Sequence, residues 1–280
     1  MRNRLRKLAL FLLSLTFMMS VLIVQGAKAA ATEDAQRAGT ITGRIMIKGA
    51  GVLSNGYVVF YEAARDLPPS EKYERTPDYV RPLDDEGRFS AELPAGRYYI
   101  RAVKRRSGER IGPPVDGDYI FRSVDEAGSP KEYLVEAGKV LDIGEAGAAV
   151  VMKLGENRKQ TVLTAIKGVI RDSAGKPVPD AVVVAFREQA AQSKPVFASE
   201  KTGKDGRYLL RVVPGTYYLR ARTGFSSGPP ETGQIVGYYG AAEPTPVTVK
   251  EGEVRSGVNF GVLLFPGRGN LSGTVPRVNR

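Results

Sequence analysis

Four arginines and a tyrosine in the last third of the chain, Arg207, Arg211, Tyr218, Arg220 and Arg222, have the types and spacing to hold an anion. Guanidinium forks grip carboxylate, sulfate and phosphate groups through paired hydrogen bonds, and an exposed phenol ring can stack on a sugar. Along residues 207–212, Tyr208, Leu210 and Val212 fall on one face and Arg207, Leu209 and Arg211 on the other. Beyond Pro214-Gly215, Tyr217, Leu219 and Ala221 point inward while Tyr218, Arg220 and Arg222 point outward. This period of two is that of half-buried strands. Read as a hairpin, the pair gathers all four arginines on one wet face, suited to an acidic glycan or a lipid headgroup. Tyr238 and Tyr239, which follow Gly228-Pro229-Pro230, read as part of a long loop at one end of the same module and join the candidate ligand-binding set.

Other chemistries are narrowed by what the chain lacks. It contains no His and no Cys. Ser-His-Asp and Cys-His nucleophiles, His or Cys zinc sites, His-ligated haem and disulfides are therefore excluded. Carboxylate chemistry stays open in principle. Asp84, Asp85 and Glu86 group three hard oxygen donors in one turn, and Asp172, Asp180 and Asp205 stand at three others. Each position is already explained by turn formation, so no metal, no cofactor and no catalytic residue is assigned.

The elements that must carry these residues come in two copies. Residues 40–45 align with 165–170, and the same offset carries Tyr57-Val-Val-Phe-Tyr61 onto Val182-Val-Val-Ala-Phe186. Residues 86–102 lie without a gap on 205–221, and 135–140 lie on 249–254. The first copy keeps Arg88, Tyr99 and Arg101 but has Glu92 where Arg211 stands, so its basic face is diluted. Asp205-Gly206 and Glu86-Gly87 sit where a tight turn needs positive φ. Many short strands between turn signals, with one short exception at 187–191 that could make a helical turn, predict an all-β chain of two tandem β-sandwiches. The boundary is expected in the polar stretch 155–160.

The N-terminus reads as a signal peptide over residues 1–29: four cationic residues by position 7, an apolar run over 8–24, and Ala27 and Ala29 before the cleavage point. No Cys follows to take a lipid, and no later apolar run is long enough to span a bilayer. A periplasmic, secreted or cell-surface product with no membrane span after cleavage is expected. Removing Arg2, Arg4, Arg6, Lys7 and Lys28 leaves 41−5=36 basic against 30 acidic residues, a net +6. That excess suits an anionic envelope polymer or a protein partner and is too dispersed to indicate nucleic acid.

The second copy carries a recognisable pattern: Gly168-Val-Ile-Arg-Asp172-Ser-Ala-Gly175-Lys-Pro177-Val-Pro179, then Asp205-Gly206-Arg-Tyr208, then Pro214-Gly215-Thr-Tyr217-Tyr-Leu219. It resembles the carboxypeptidase regulatory-like domain. The resemblance implies a transthyretin-like, Greek-key sandwich of a carbohydrate-binding-like kind over residues 162–266, with a diverged first copy over 38–154. Residues 267–280 restate the opening strand of such a module and are expected to pad the second copy or to add to another chain's sheet. Modules of this family accompany other domains as spacers, adhesins or sugar binders and bring no catalytic group. The expected function is therefore a non-enzymatic exported binding module for polysaccharide or another envelope partner, with a spacer or assembly subunit as the alternative.

Overall fold

A computed structural model describes residues 37–70, 72–110, 112, 114–153, 163–190, 193–223 and 230–267. The expected signal peptide, the boundary at 155–160, the segment 268–280 and parts of both Gly-Pro-Pro stretches lie outside the described residues. No helix occurs among the described residues; 187–188 form a bend, 189–190 are irregular, and Ala191 falls outside them.

Nine strands make the first unit: β1 (Ala38–Ile47), β2 (Gly51–Val52), β3 (Tyr57–Glu62), β4 (Tyr79–Pro82), β5 (Arg88–Pro94), β6 (Gly96–Lys104), β7 (Tyr119–Arg122), β8 (Glu132–Val135) and β9 (Val140–Val151). The second has β10 (Ala165–Arg171), β11 (Val182–Phe186), β12 (Phe197–Ala198), β13 (Arg207–Arg211), β14 (Gly215–Arg222), β15 (Ile235–Tyr238), β16 (Val247–Val249), β17 (Val254–Arg255), β18 (Phe260–Gly261) and β19 (Leu263–Leu264).

The pairing repeats from one unit to the next. β1 lies between antiparallel β5 and parallel β9, as β10 lies between antiparallel β13 and parallel β17 and β18. Facing that layer, β6 pairs with β3, β7 and β8, and β14 pairs with β11, β15 and β16. The last strand passes from the first layer to the second, β9 ending against β7 and β19 against β15. Each unit is thus a β-sandwich filled by the inward set of a period-two pattern. Ile41, Phe60, Phe89, Tyr98 and Phe121 anchor the first core; Ile166, Phe197, Tyr208, Tyr217 and Leu219 anchor the second.

Pro214-Gly215 is therefore not the tip of a hairpin, and the expectation that it gathers four arginines on one face is corrected here. β13 pairs with β10 and β14 with β11, so the two strands belong to opposite sheets. Alternation could not distinguish these cases, because strands that face each other across a core also turn one residue set in and the other out. A buried tyrosine secures the crossing in each unit: Tyr98 Oη donates to the Pro94 carbonyl at 2.8 Å, and Tyr217 Oη to the Val213 carbonyl at 2.7 Å. The turns at Gly87 and Gly206 do form as expected, at φ 71° and 72°. A Cβ there would meet the Ile45 or Ile170 carbonyl oxygen at 2.7 and 2.5 Å, so only glycine closes them without strain.

The connection between β3 and β4, residues 63–78, joins the two units. Its residues 74–76 pair with the free edge of β12: Ala198 N donates to the Glu74 carbonyl and Thr76 N to the Val196 carbonyl, each at 3.0 Å. The Thr76 hydroxyl also bonds the Pro195 carbonyl, and Arg65 Nη2 donates to the Lys194 carbonyl at 2.7 Å. Tyr73 enters the second core, its ring edge-on to Phe197 with centroids 5.2 Å apart. An edge strand with unpaired backbone groups is an aggregation hazard, and covering it with this loop removes the hazard while fixing the neighbour.

Arg75 holds the loop in shape. It is 1% exposed. Its guanidinium donates to the carbonyls of Glu62 (2.6 Å), Leu67 (2.8 Å) and Asp66 (3.2 Å) and to Asp78 Oδ2 (3.2 Å), and it lies over the Tyr61 ring. Burial pushes its pKa down, and Asp78 and Asp66 oppose that shift. A buried cation without such partners would be strongly unfavourable. Asp78, itself buried, also contacts Arg65 and accepts from Glu62 N at 2.9 Å.

Candidate functional site

The residues expected to form one face lie in four settings. Arg207 is exposed on the outer side of β13 and pairs with Asp205 at 3.4 Å. Arg211, four residues along, turns into a cleft between the two sandwiches. On the opposite sheet, Tyr218 packs half-buried against Val182, Val184, Phe186 and Ala198. Arg220 stacks over Phe186 at 4.5 Å and donates to the Gln189 and Ala190 carbonyls at 3.3 and 3.4 Å. Arg222 follows on the same face, and burial lowers the pKa of both. Tyr238 and Tyr239 are at the end of β15 and not in a long loop. Tyr238 Oη donates to the Ala242 carbonyl at 2.9 Å, and Tyr239 packs edge-on to Phe260 at 6.1 Å against the core. Arg220, Arg222 and Tyr218 thus stay together, while Arg207 and Arg211 are separated from them by the thickness of the sandwich.

The cleft to which Arg211 contributes is lined by several further cationic groups. Its floor is the outer face of β6 and β7 and its wall is the outer face of β13. One part encloses ≈270 Å³ and adjoins a wider part of ≈970 Å³; Ser70, Tyr73, Arg101, Arg122 and Arg211 line both. Arg101 and Arg122 are direct cross-strand neighbours on the floor. Arg101, 9% exposed, donates to the Ser70 carbonyl at 3.1 Å and lies over the Tyr61 ring. Arg105, just past the end of β6, bonds the carbonyls of Arg110 (3.2 Å) and Gly112. Burial lowers its pKa, with Glu74 and Asp118 acting against that, and its Nε is buried with no hydrogen-bond partner. Tyr61, enclosed beneath these groups, has its pKa raised to about 12, chiefly by burial and despite the nearby Arg101.

The carboxylates once open to other roles are occupied in turns. Asp84 Oδ1 accepts from Glu86 N and Arg88 N at 3.0 and 2.7 Å, and Asp172 Oδ1 from Ala174 N and Lys176 N at 2.9 and 2.8 Å. Asp205 Oδ1 accepts from Arg207 N at 3.1 Å, and Asp180 holds a left-handed turn at φ 58°. Three or more carboxylates do not converge on one point among the described residues.

The residues that position the cleft, Tyr73, Arg75, Arg105 and Arg122, were not singled out from the sequence. One available signal was the repeat offset. It is 125 between Tyr57 and Val182 but 119 between Glu86 and Asp205, so the first copy has 125−119=6 extra residues in between, and these fall in the joining loop.

Among solved structures, the chain is similar to the Bacillus anthracis TIE protein at 16% identity and a TM-score of 0.26, covering 81% of this chain and 34% of that one. A streptococcal ancillary pilin gives 14% identity and a TM-score of 0.25, with 82% and 63% covered. A DUF3823 family protein from Parabacteroides merdae gives 15% and 0.23, with 77% and 98% covered. The chain thus spans about a third of the first of these and under two thirds of the second. No curated protein matches it. Residues 165–261, the second sandwich, match the family model of the carboxypeptidase regulatory-like domain.

Proposed function

We propose that this protein is an exported, non-enzymatic structural unit, a rigid pair of β-sandwiches serving as spacer or assembly subunit of a larger surface or periplasmic complex. The observation that carries this reading is the joint between the units, where Tyr73 of the first sits in the core of the second and residues 74–76 extend its sheet. Independent binding modules on a flexible tether would have no use for a shared core residue. Relative motion between domains is the default where the interface is small and polar; here the Tyr73 ring is packed in the second core and main-chain hydrogen bonds tie residues 74–76 to β12. Export is supported by the charge, apolar run and small-residue order of residues 1–29. The matching strand connectivity supports reading 38–154 and 162–266 as diverged copies of one domain.

Polysaccharide binding on an open sheet face is less well supported, since Arg207 and Arg211 are on a different sheet from Tyr218, Arg220 and Arg222. The test is complementation of a deletion strain, with envelope fractionation of the product. The wild-type chain should be recovered outside the cytoplasm and restore the envelope phenotype. A Tyr73→Ala, Arg75→Ala chain, exported at the same level but with uncoupled units, should not restore it. Full rescue by that variant would remove the spacer role, and a cytoplasmic product would remove export.

A further inference from the structure

The joint brings together two different surfaces of one kind of sandwich. From the first unit it takes the outer face of β6 and β7, where Arg101 and Arg122 are cross-strand neighbours; from the second it takes the outer face of β13, with Leu209 and Arg211. Each unit also has, on the far side of its core, the counterpart of the surface its neighbour contributes. The repeat offset of 119 identifies both. Arg220 stands where Arg101 does, with Tyr238 as its cross-strand neighbour in place of Arg122. Ser90 and Glu92 stand where Leu209 and Arg211 do. The chain therefore has unlike ends: the β14–β15 face of the second sandwich and the β5 face of the first.

Inside the joint, Arg211 of the wall and Arg101 of the floor are both cations, and the Tyr73 ring and the main-chain bonds of 74–76 hold the contact. At the two ends the same positions hold Glu92 and Arg220, a pair of opposite sign. Glu92 is exposed and has no ion-pair partner among the described residues; Arg88 shares its face, four residues away. β11, β14 and β15 contain no acidic residue. Arg220 rests on the Phe186 ring and donates to two main-chain carbonyls, which orient its charge without neutralising it. We propose that the β14–β15 face of the second sandwich docks on the β5 face of the first sandwich of another copy, Arg220 against Glu92, so that copies add head to tail. Because the two surfaces differ, the contact is heterologous, and repeating it extends a row of copies. The β11–β12 connection has no counterpart of Tyr73 to enter the next copy's core, so the contact is reversible and salt-sensitive. The inference deepens the assembly-subunit reading and rests on it; a chain that stays monomeric yet passes the complementation test removes the self-association alone.

The experiment is analytical sedimentation of the full mature chain over a wide range of concentration, in low and high salt. In low salt the weight-average mass should rise with concentration past that of a dimer, and high salt should return it towards the monomer. Glu92→Gln and Arg220→Gln should each weaken the association by about tenfold or more. Mixed in equal amounts, the two variants should form a dimer that grows no further, because only one intact Arg220 face meets one intact Glu92 face. That dimer would also show that both variants are folded. A wild-type chain that stays monomeric in low salt overturns the proposal. So does one that stops at a dimer, growth that both substitutions leave unchanged, or a mixture that fails to pair. A monomer whose Arg220 face binds polyglutamate instead would give that face to an anionic polymer and overturn it equally.

Discussion

The β3–β4 connection of the first sandwich and the corresponding β11–β12 connection of the second have different structural roles. In the second sandwich ten residues, 187–196, span from β11 to β12; in the first, sixteen residues, 63–78, span from β3 to β4. The longer connection carries an aromatic ring, Tyr73, that the shorter lacks and that reaches the neighbour's core, and a buried cation, Arg75, that holds the connection in shape. The same contrast holds on the sheet face below. Arg101 is buried under the joint, while Arg220, its counterpart in the repeat, lies half-exposed over Phe186. The longer connection thus gives this face of the first sandwich a partner, while the corresponding face of the second stays open.

That contrast can be broken most severely at its two anchors. Arg75→Ala should cost about 3–5 kcal/mol, because it removes one of the two arginines that balance buried Asp78 and takes the Arg75 donor from three main-chain carbonyls. The loss should be seen in the urea transition of the first sandwich. Phe197→Ala should cost about 3–5 kcal/mol in the second, since it removes a fully buried ring that contacts both Tyr73 and Tyr217. If both substitutions shift one common transition by similar amounts, the two sandwiches unfold as a single unit; separate transitions would show that the joint yields first.

A milder comparison is between the equivalent glycines Gly168 and Gly43. A Cβ on Gly168 would sit 1.9 Å from the Val258 carbonyl oxygen, which is fixed backbone, whereas on Gly43 it would meet the Ile143 Cγ1 atom at 2.6 Å, which can move. Gly168→Ala should therefore cost more than Gly43→Ala, within the roughly 1–3 kcal/mol usual for overpacking, as measured by thermal melting.

Near neutrality pH should matter less than any of these changes. Tyr61, Tyr79 and Tyr217 have pKa values raised to about 12, mainly by burial. The unfolded chain then loses its phenol protons near pH 10, before the folded one does. Stability from these groups is complete below pH 10 and falls between pH 10 and 12. Tyr217→Phe should flatten that fall, which equilibrium unfolding across the alkaline range would measure. The smallest effect expected is at the rim of the joint. Asp66 pairs with Arg187 at 3.1 Å, but the arginine is 39% exposed, so Asp66→Asn should cost under about 1 kcal/mol.

Much of the fold was legible from the chain because turn glycines and a period of two leave little choice. Gly87, Gly206 and the alternation over 207–221 fixed element type and the inward set correctly. Which strands are neighbours was not legible. The pattern over 207–222 fits a hairpin and a facing pair equally well, and only the pairing partners β10 and β11 separate them. The same ambiguity moved the candidate site. Arg211 was identified as a ligand-binding side chain, but its company in the cleft is Arg101 and Arg122, some ninety residues or more earlier in the chain, and not Arg220. Arg75 could not be recognised because a lone arginine in a polar loop gives no hint of burial until its carbonyl acceptors are assembled around it.

The central claim, that the joint makes one rigid body of two sandwiches, is open to a direct distance measurement. The chain has no cysteine, so spin labels can be placed uniquely at Ala50→Cys in the first sandwich and Lys204→Cys in the second, both exposed turn positions. Double electron–electron resonance should give a single narrow distance distribution in the otherwise wild-type chain, broadening when Tyr73→Ala and Arg75→Ala are added. A broad or multiple distribution before the joint is altered would contradict the account.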